Sequence, residues 1–76
     1  MKGVRWNTIM LREFEELACL SEEEKAVLHD WAYGHSIVST SIRQHMSETK
    51  VKDIRKVLRD KYDDVQPYTP LLPPRT

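Results

Sequence analysis

The sequence predicts an all-α fold: a small four-helix domain containing a helix-turn-helix, with an extended Pro-rich C-terminal tail. Three observations carry this expectation. Apolar residues recur at steps of three and four through most of the chain; serines stand just before several of these runs; and only two of the 76 residues are glycine. A balance of 39% hydrophobic and 32% charged residues suits helices better than a β-sandwich or a disordered chain. At this length there is one modest core, because folding buries only about 60% of the unfolded chain's surface. The helical domain is assigned to residues 1–64 and the tail to 65–76.

The first helix is expected from Thr8 to Leu20, with Ile9, Met10, Phe14, Leu17 and Ala18 inward and Arg12, Glu13 and Glu16 outward. Trp6 precedes it and is placed to fold over its N-terminal end. In "LSEEEKAVLHDWAYG", Ser21 and Glu24 form the S-x-x-E pattern of a capping box, and three glutamates favour the positive end of the helix. Ala26, Val27, Leu28, Trp31 and Ala32 give this second helix a broad apolar face, and Gly34 follows where a left-handed C-cap costs least. It should run from Glu22 to Tyr33.

Ser36 can cap a short third helix with Ile37, Val38 and Ile42 as its apolar positions, although Ser39, Thr40, Ser41 and Gln44 make the buried face polar. Ser47 caps a fourth, in which Val51, Ile54, Leu58 and Tyr62 form one stripe and Val57 lies at its margin. At 100° per residue Thr49, Asp53, Lys56 and Asp60 point away from that stripe, with Lys50 and Lys52 on its two flanks. After Asp64, four prolines in "VQPYTPLLPPRT" stop any regular helix and favour an extended, partly polyproline II chain. Tyr68, Leu71 and Leu72 in that tail can serve as a peptide ligand or fold back on the domain.

Formal net charge is zero, yet it is unevenly placed. Residues 1–30 hold four basic and seven acidic side chains, a net −3, whereas residues 43–61 hold seven basic and three acidic, a net +4. "HMSETKVKDIRK", residues 45–56, is the centre of the basic segment. Counterion release from phosphates needs such local positive charge, which a zero total does not forbid.

The segment from Leu20 to Asp63, more than half of the chain, resembles the helix-turn-helix of sigma factor region 4 and of related response-regulator DNA-binding domains. The matching features are Leu20, Ser21 and Glu24 at the opening, Val27 and Leu28, the Gly-x-Ser junction at Gly34 and Ser36, the turn serine Ser47, and Val51 and Lys52 in the last helix. The resemblance implies that the helix opening at Ser47 is a recognition helix, so that Thr49, Lys50, Lys52, Asp53 and Lys56 face bases or nearby phosphates of double-stranded DNA. The sequence departs from the family pattern at Thr40 and Gln44, where apolar residues are usual, at His45, where glycine or asparagine is usual, and at Lys50, where a small hydroxyl residue is usual. Arg55 and Arg59 lie nearer the packed side and are expected to serve packing or backbone contacts.

Other chemistries find less support. Cys19, His29, His35 and His45 lack the short paired spacing that pre-organises a metal, and no phosphate loop or nucleophile elbow is present, so neither an enzyme nor a cofactor is expected. Cys19 is expected to be a reduced, buried thiol, which with the absence of a signal-like or membrane-length apolar run suggests a cytoplasmic protein. Trp31 is expected in the core. The leading functional expectation is a DNA-binding transcriptional regulator or accessory, for which a homodimer would supply the contacts that one helix lacks, since one helix reads few base pairs. The alternative is a protein-interaction module that binds RNA polymerase or another regulator through its acidic helices or the Pro-rich tail.

Overall fold

The computed structural model describes residues 4–75, so the first three residues and Thr76 of the two predicted segments lie outside it. Four α-helices follow in order: α1 (Thr8–Leu17), α2 (Glu22–Ala32), α3 (Ile37–Arg43) and α4 (Glu48–Val65), with a single 3₁₀ turn over Gln66–Tyr68. The described residues contain no strand. The all-α expectation holds.

Each α-helix starts on a side-chain cap that satisfies an otherwise orphaned backbone amide. Asn7 accepts from the Met10 amide, and Ser36 and Ser47 accept from the amides of Ser39 and Lys50. Ser21 and Glu24 form the full reciprocal capping box.

The first three helices end alike. In each, the amides of the two residues after the C-cap turn back onto helix carbonyls: Cys19 and Leu20 onto Glu16 and Glu15, Gly34 and His35 onto Trp31 and Asp30, His45 and Met46 onto Ile42 and Ser41. This is the Schellman pattern, which requires a left-handed residue directly after the C-cap. Cys19 (φ 51°), Gly34 (φ 88°) and His45 (φ 54°) occupy that place. Only the second is glycine, so only the second stop was legible in the sequence.

This explains why α1 is shorter than expected and why Cys19 is exposed, where a buried thiol was anticipated. The inward side of α1 also differs: Met10, Leu11 and Phe14 are buried, while Ile9 is exposed because it lies nearly opposite Phe14 around the helix.

α4 is the spine, 18 residues long and touching each of the other three helices. Val51, Ile54, Leu58 and Tyr62 are buried as the stripe predicted, against Phe14 of α1, Leu20, and Val27 and Leu28 of α2. Burying an aliphatic or aromatic side chain of this size contributes about 1.5–3 kcal/mol. Trp6 closes one end, its ring 5.8 Å from Phe14 and 5.7 Å from Tyr62. Trp31 is partly buried, not a central core residue: the Arg55 and Arg59 guanidiniums lie over it, at 4.5 and 5.8 Å from its ring centre.

The C-terminal segment is not the extended arm that its prolines suggested. After the 3₁₀ turn the chain folds back, burying Thr69 and Leu72, and Leu72 joins the core cluster. The Tyr62 hydroxyl donates to the Pro73 carbonyl, Gln66 donates to the Leu72 carbonyl, and Arg75 grips Asp63 through two nitrogens. Proline forbids regular helix but not docking, and the pre-set backbone loses little entropy when apolar neighbours bury against it.

Candidate nucleic-acid interface

The turn between α3 and α4 is Gln44–Ser47. Its left-handed His45 reverses the chain in so few residues that α4 begins directly beyond the end of α3, and Ser47 then caps it. Behind the turn, the buried Asp30 carboxylate of α2 accepts from Arg43 Nε at 3.2 Å and Gln44 Nε2 at 3.1 Å. A buried carboxylate needs such partners, and these two fix the end of α3 to α2. The unusual polarity of Gln44 is thereby explained.

α3 itself turns its polar side inward. Thr40 is fully buried, and Ile37, Ser41 and Gln44 share its side at helical spacing, whereas Val38 and Ile42 are exposed. Three of the four members of this inward stripe are polar, so apolar spacing does not mark it. The Thr40 hydroxyl has no hydrogen-bond partner.

The five predicted contact residues are all exposed on the first half of α4. Thr49, Asp53 and Lys56 lie together on the outward face. Lys52 and Lys50 lie on opposite flanks, about 200° apart around the helix, so the five do not make one uniform patch. Lys52 and Lys56 have no acidic partner within 4 Å among the described residues. Lys50 differs: its Nζ lies 2.8 Å from Glu23 Oε2, on the first turn of α2. Exposed Glu48, Asp53 and Asp60 also interrupt the positive charge.

Farther along α4, Lys61 donates to both oxygens of Glu24, at 3.0 and 2.8 Å. Burial pushes the Glu24 carboxyl upward, but the Lys61 hydrogen bonds and charge, with bonds from Ser21, outweigh it and hold the group below its ordinary value. Arg55 donates to the His35 carbonyl at 2.9 Å while covering Trp31. It is thus committed to packing, together with Arg59, and the surface charge available on this face comes from lysines.

Sequence reasoning missed Glu23 as a partner of Lys50 and missed Val38 and Ile42 as exposed apolar groups. Neither adjacency of α2 to the start of α4 nor the rotation of α3 is written in local spacing. An open groove of about 540 Å³ at Glu15, Lys25, His29, Tyr33 and Arg43 carries mixed charge and contains the His29–Glu15 contact between α2 and α1. No group of three or more His, Cys, Asp or Glu among the described residues is arranged to hold a metal ion. No described helix is long and apolar enough to cross a membrane.

No family model, curated protein or solved structure matches the chain.

Proposed function

We propose that this chain is a helix-turn-helix module that binds double-stranded DNA and regulates transcription in the cytoplasm, with the first half of α4 in the major groove. The observation that carries the reading is the presentation of Thr49, Lys52, Asp53 and Lys56, all exposed, directly after the tight turn at His45. Lys52 and Lys56 supply phosphate or guanine contacts, Thr49 adapts to either donor or acceptor, and Asp53 can accept from cytosine N4. No cofactor enters this mechanism. With few free cations a single copy binds weakly, and a homodimer or a second DNA-binding partner supplies the remaining base pairs.

The test is an NMR titration of the protein with random-sequence duplex DNA at about 50 and 200 mM salt, where phosphate contacts change affinity steeply. Shifts should cluster at residues 47–56, and Lys56→Glu should weaken binding and reduce the salt slope by about one. Absence of salt-dependent binding by the wild type overturns the reading.

A second reading is favoured by one observation: Val38 and Ile42, one helical turn apart, are exposed on α3. That face suits a protein partner such as RNA polymerase or another regulator. Capture of polymerase that is lost on Val38→Ser/Ile42→Ser but survives Lys56→Glu would select it.

A further inference from the structure

Two neighbouring glutamates on the first turn of α2 each hold a lysine of α4, and they hold them differently. Glu24 is largely shielded, with its side chain 16% exposed, receives Lys61 on both oxygens and also accepts the Ser21 amide at 2.9 Å. It is built into the helix start and into the α2–α4 contact. Glu23 makes one ion pair, to Lys50, and both partners are about half exposed, at 46% and 50%. Water and dissolved anions reach this pair, so a phosphate oxygen can take the carboxylate's place.

Resting on the DNA-binding reading, we infer that Glu23 is an autoinhibitory latch: its carboxylate occupies the position at Lys50 that a DNA phosphate would take, and so lowers the affinity of α4 for duplex DNA. Binding must either leave Lys50 unused or free the Glu23 carboxylate beside the phosphate backbone, where like charges repel. Both routes remove about one phosphate contact from the net electrostatic gain. The latch also acts on specificity. A protein with a muted non-specific term dissociates more readily from random sequence, leaving the contacts of Thr49 and Asp53 a larger share of the discrimination.

The experiment measures duplex affinity against salt for the wild type, Glu23→Gln, Glu22→Gln, Lys50→Gln and the Glu23→Gln/Lys50→Gln pair, with thermal melts to show that each is folded. Glu22 lies on the same turn but pairs with Lys25 inside α2, so its variant reports the effect of charge removal alone. Glu23→Gln should bind three- to eightfold more tightly at about 0.1 M salt, with a log–log salt slope steeper by about 0.9. That gain should vanish when Lys50 is already glutamine, and Glu22→Gln should show less than half of it on a logarithmic scale. Equal gains from Glu22→Gln and Glu23→Gln, or a gain that persists without Lys50, overturns the latch. So does an unchanged Glu23→Gln affinity when Lys56→Glu still weakens binding, an outcome that leaves the DNA-binding reading standing. Failure of both wild type and Glu23→Gln to bind DNA instead overturns that reading and the latch with it.

Discussion

The hydroxyl of Thr69 donates to the Glu13 carboxylate at 2.7 Å, tying the segment after α4 to α1 across 56 residues of sequence. Leu72 follows, 1% exposed, in the same cluster as Phe14 and Tyr62. The C-terminal segment therefore completes the core.

Removing the Leu72 side chain tests that role. Leu72→Ala should destabilise the protein by about 2–5 kcal/mol, the usual cost of truncating a buried leucine. Urea unfolding should show it as a lower midpoint, and a melting temperature unchanged within error would mean that the segment docks without supporting the core.

The two non-glycine helix stops make an opposite prediction. A left-handed conformation costs a residue with a Cβ about 1–2 kcal/mol, of which glycine's greater unfolded freedom returns part. Cys19→Gly and His45→Gly should each stabilise the fold by about 0.5–1 kcal/mol, seen as higher thermal midpoints. Gly34→Ala should destabilise; no heavy atom lies within 4 Å of where its Cβ would stand, so the cost is purely one of backbone conformation.

Thr40 offers a second route to stability. Its hydroxyl is buried without a partner, and replacing it with a methyl of the same shape removes a desolvation penalty. Thr40→Val should stabilise by about 1 kcal/mol, raising the midpoint by about 4–8 °C in a domain of this size. A fall would show that the hydroxyl is in fact hydrogen-bonded.

The Lys61–Glu24 strap predicts a pH dependence with a defined sign. Because folding lowers the Glu24 pKa, the carboxylate's contribution is fully present above its ordinary value of 4.5. It is lost as pH falls through the lower folded value. Lys61→Met should cost about 1 kcal/mol at pH 7. The gap between variant and wild type should narrow below about pH 4, read by urea unfolding at pH 7 and pH 3.

Much of the fold was legible locally. Ser21, Ser36 and Ser47 marked three helix starts, Gly34 marked a stop, and the Val51, Ile54, Leu58 and Tyr62 stripe marked the packed side of α4. The outward positions Thr49, Asp53 and Lys56 followed from the same geometry. The stops at Cys19 and His45 were harder, because side chains that tolerate the left-handed conformation at a cost leave no compositional mark.

By itself, the sequence determined four helices, the serine caps of the last three and the exposed face of the fourth, since those follow from hydrogen-bonding groups and periodicity within a few residues. Only the tertiary structure decided that Val38 and Ile42 face solvent, that Leu72 is buried despite its prolines, and that Glu23 meets Lys50. Each depends on free energy shared between segments far apart in the chain. Local spacing limits which side chains can point the same way, and long-range packing selects among them.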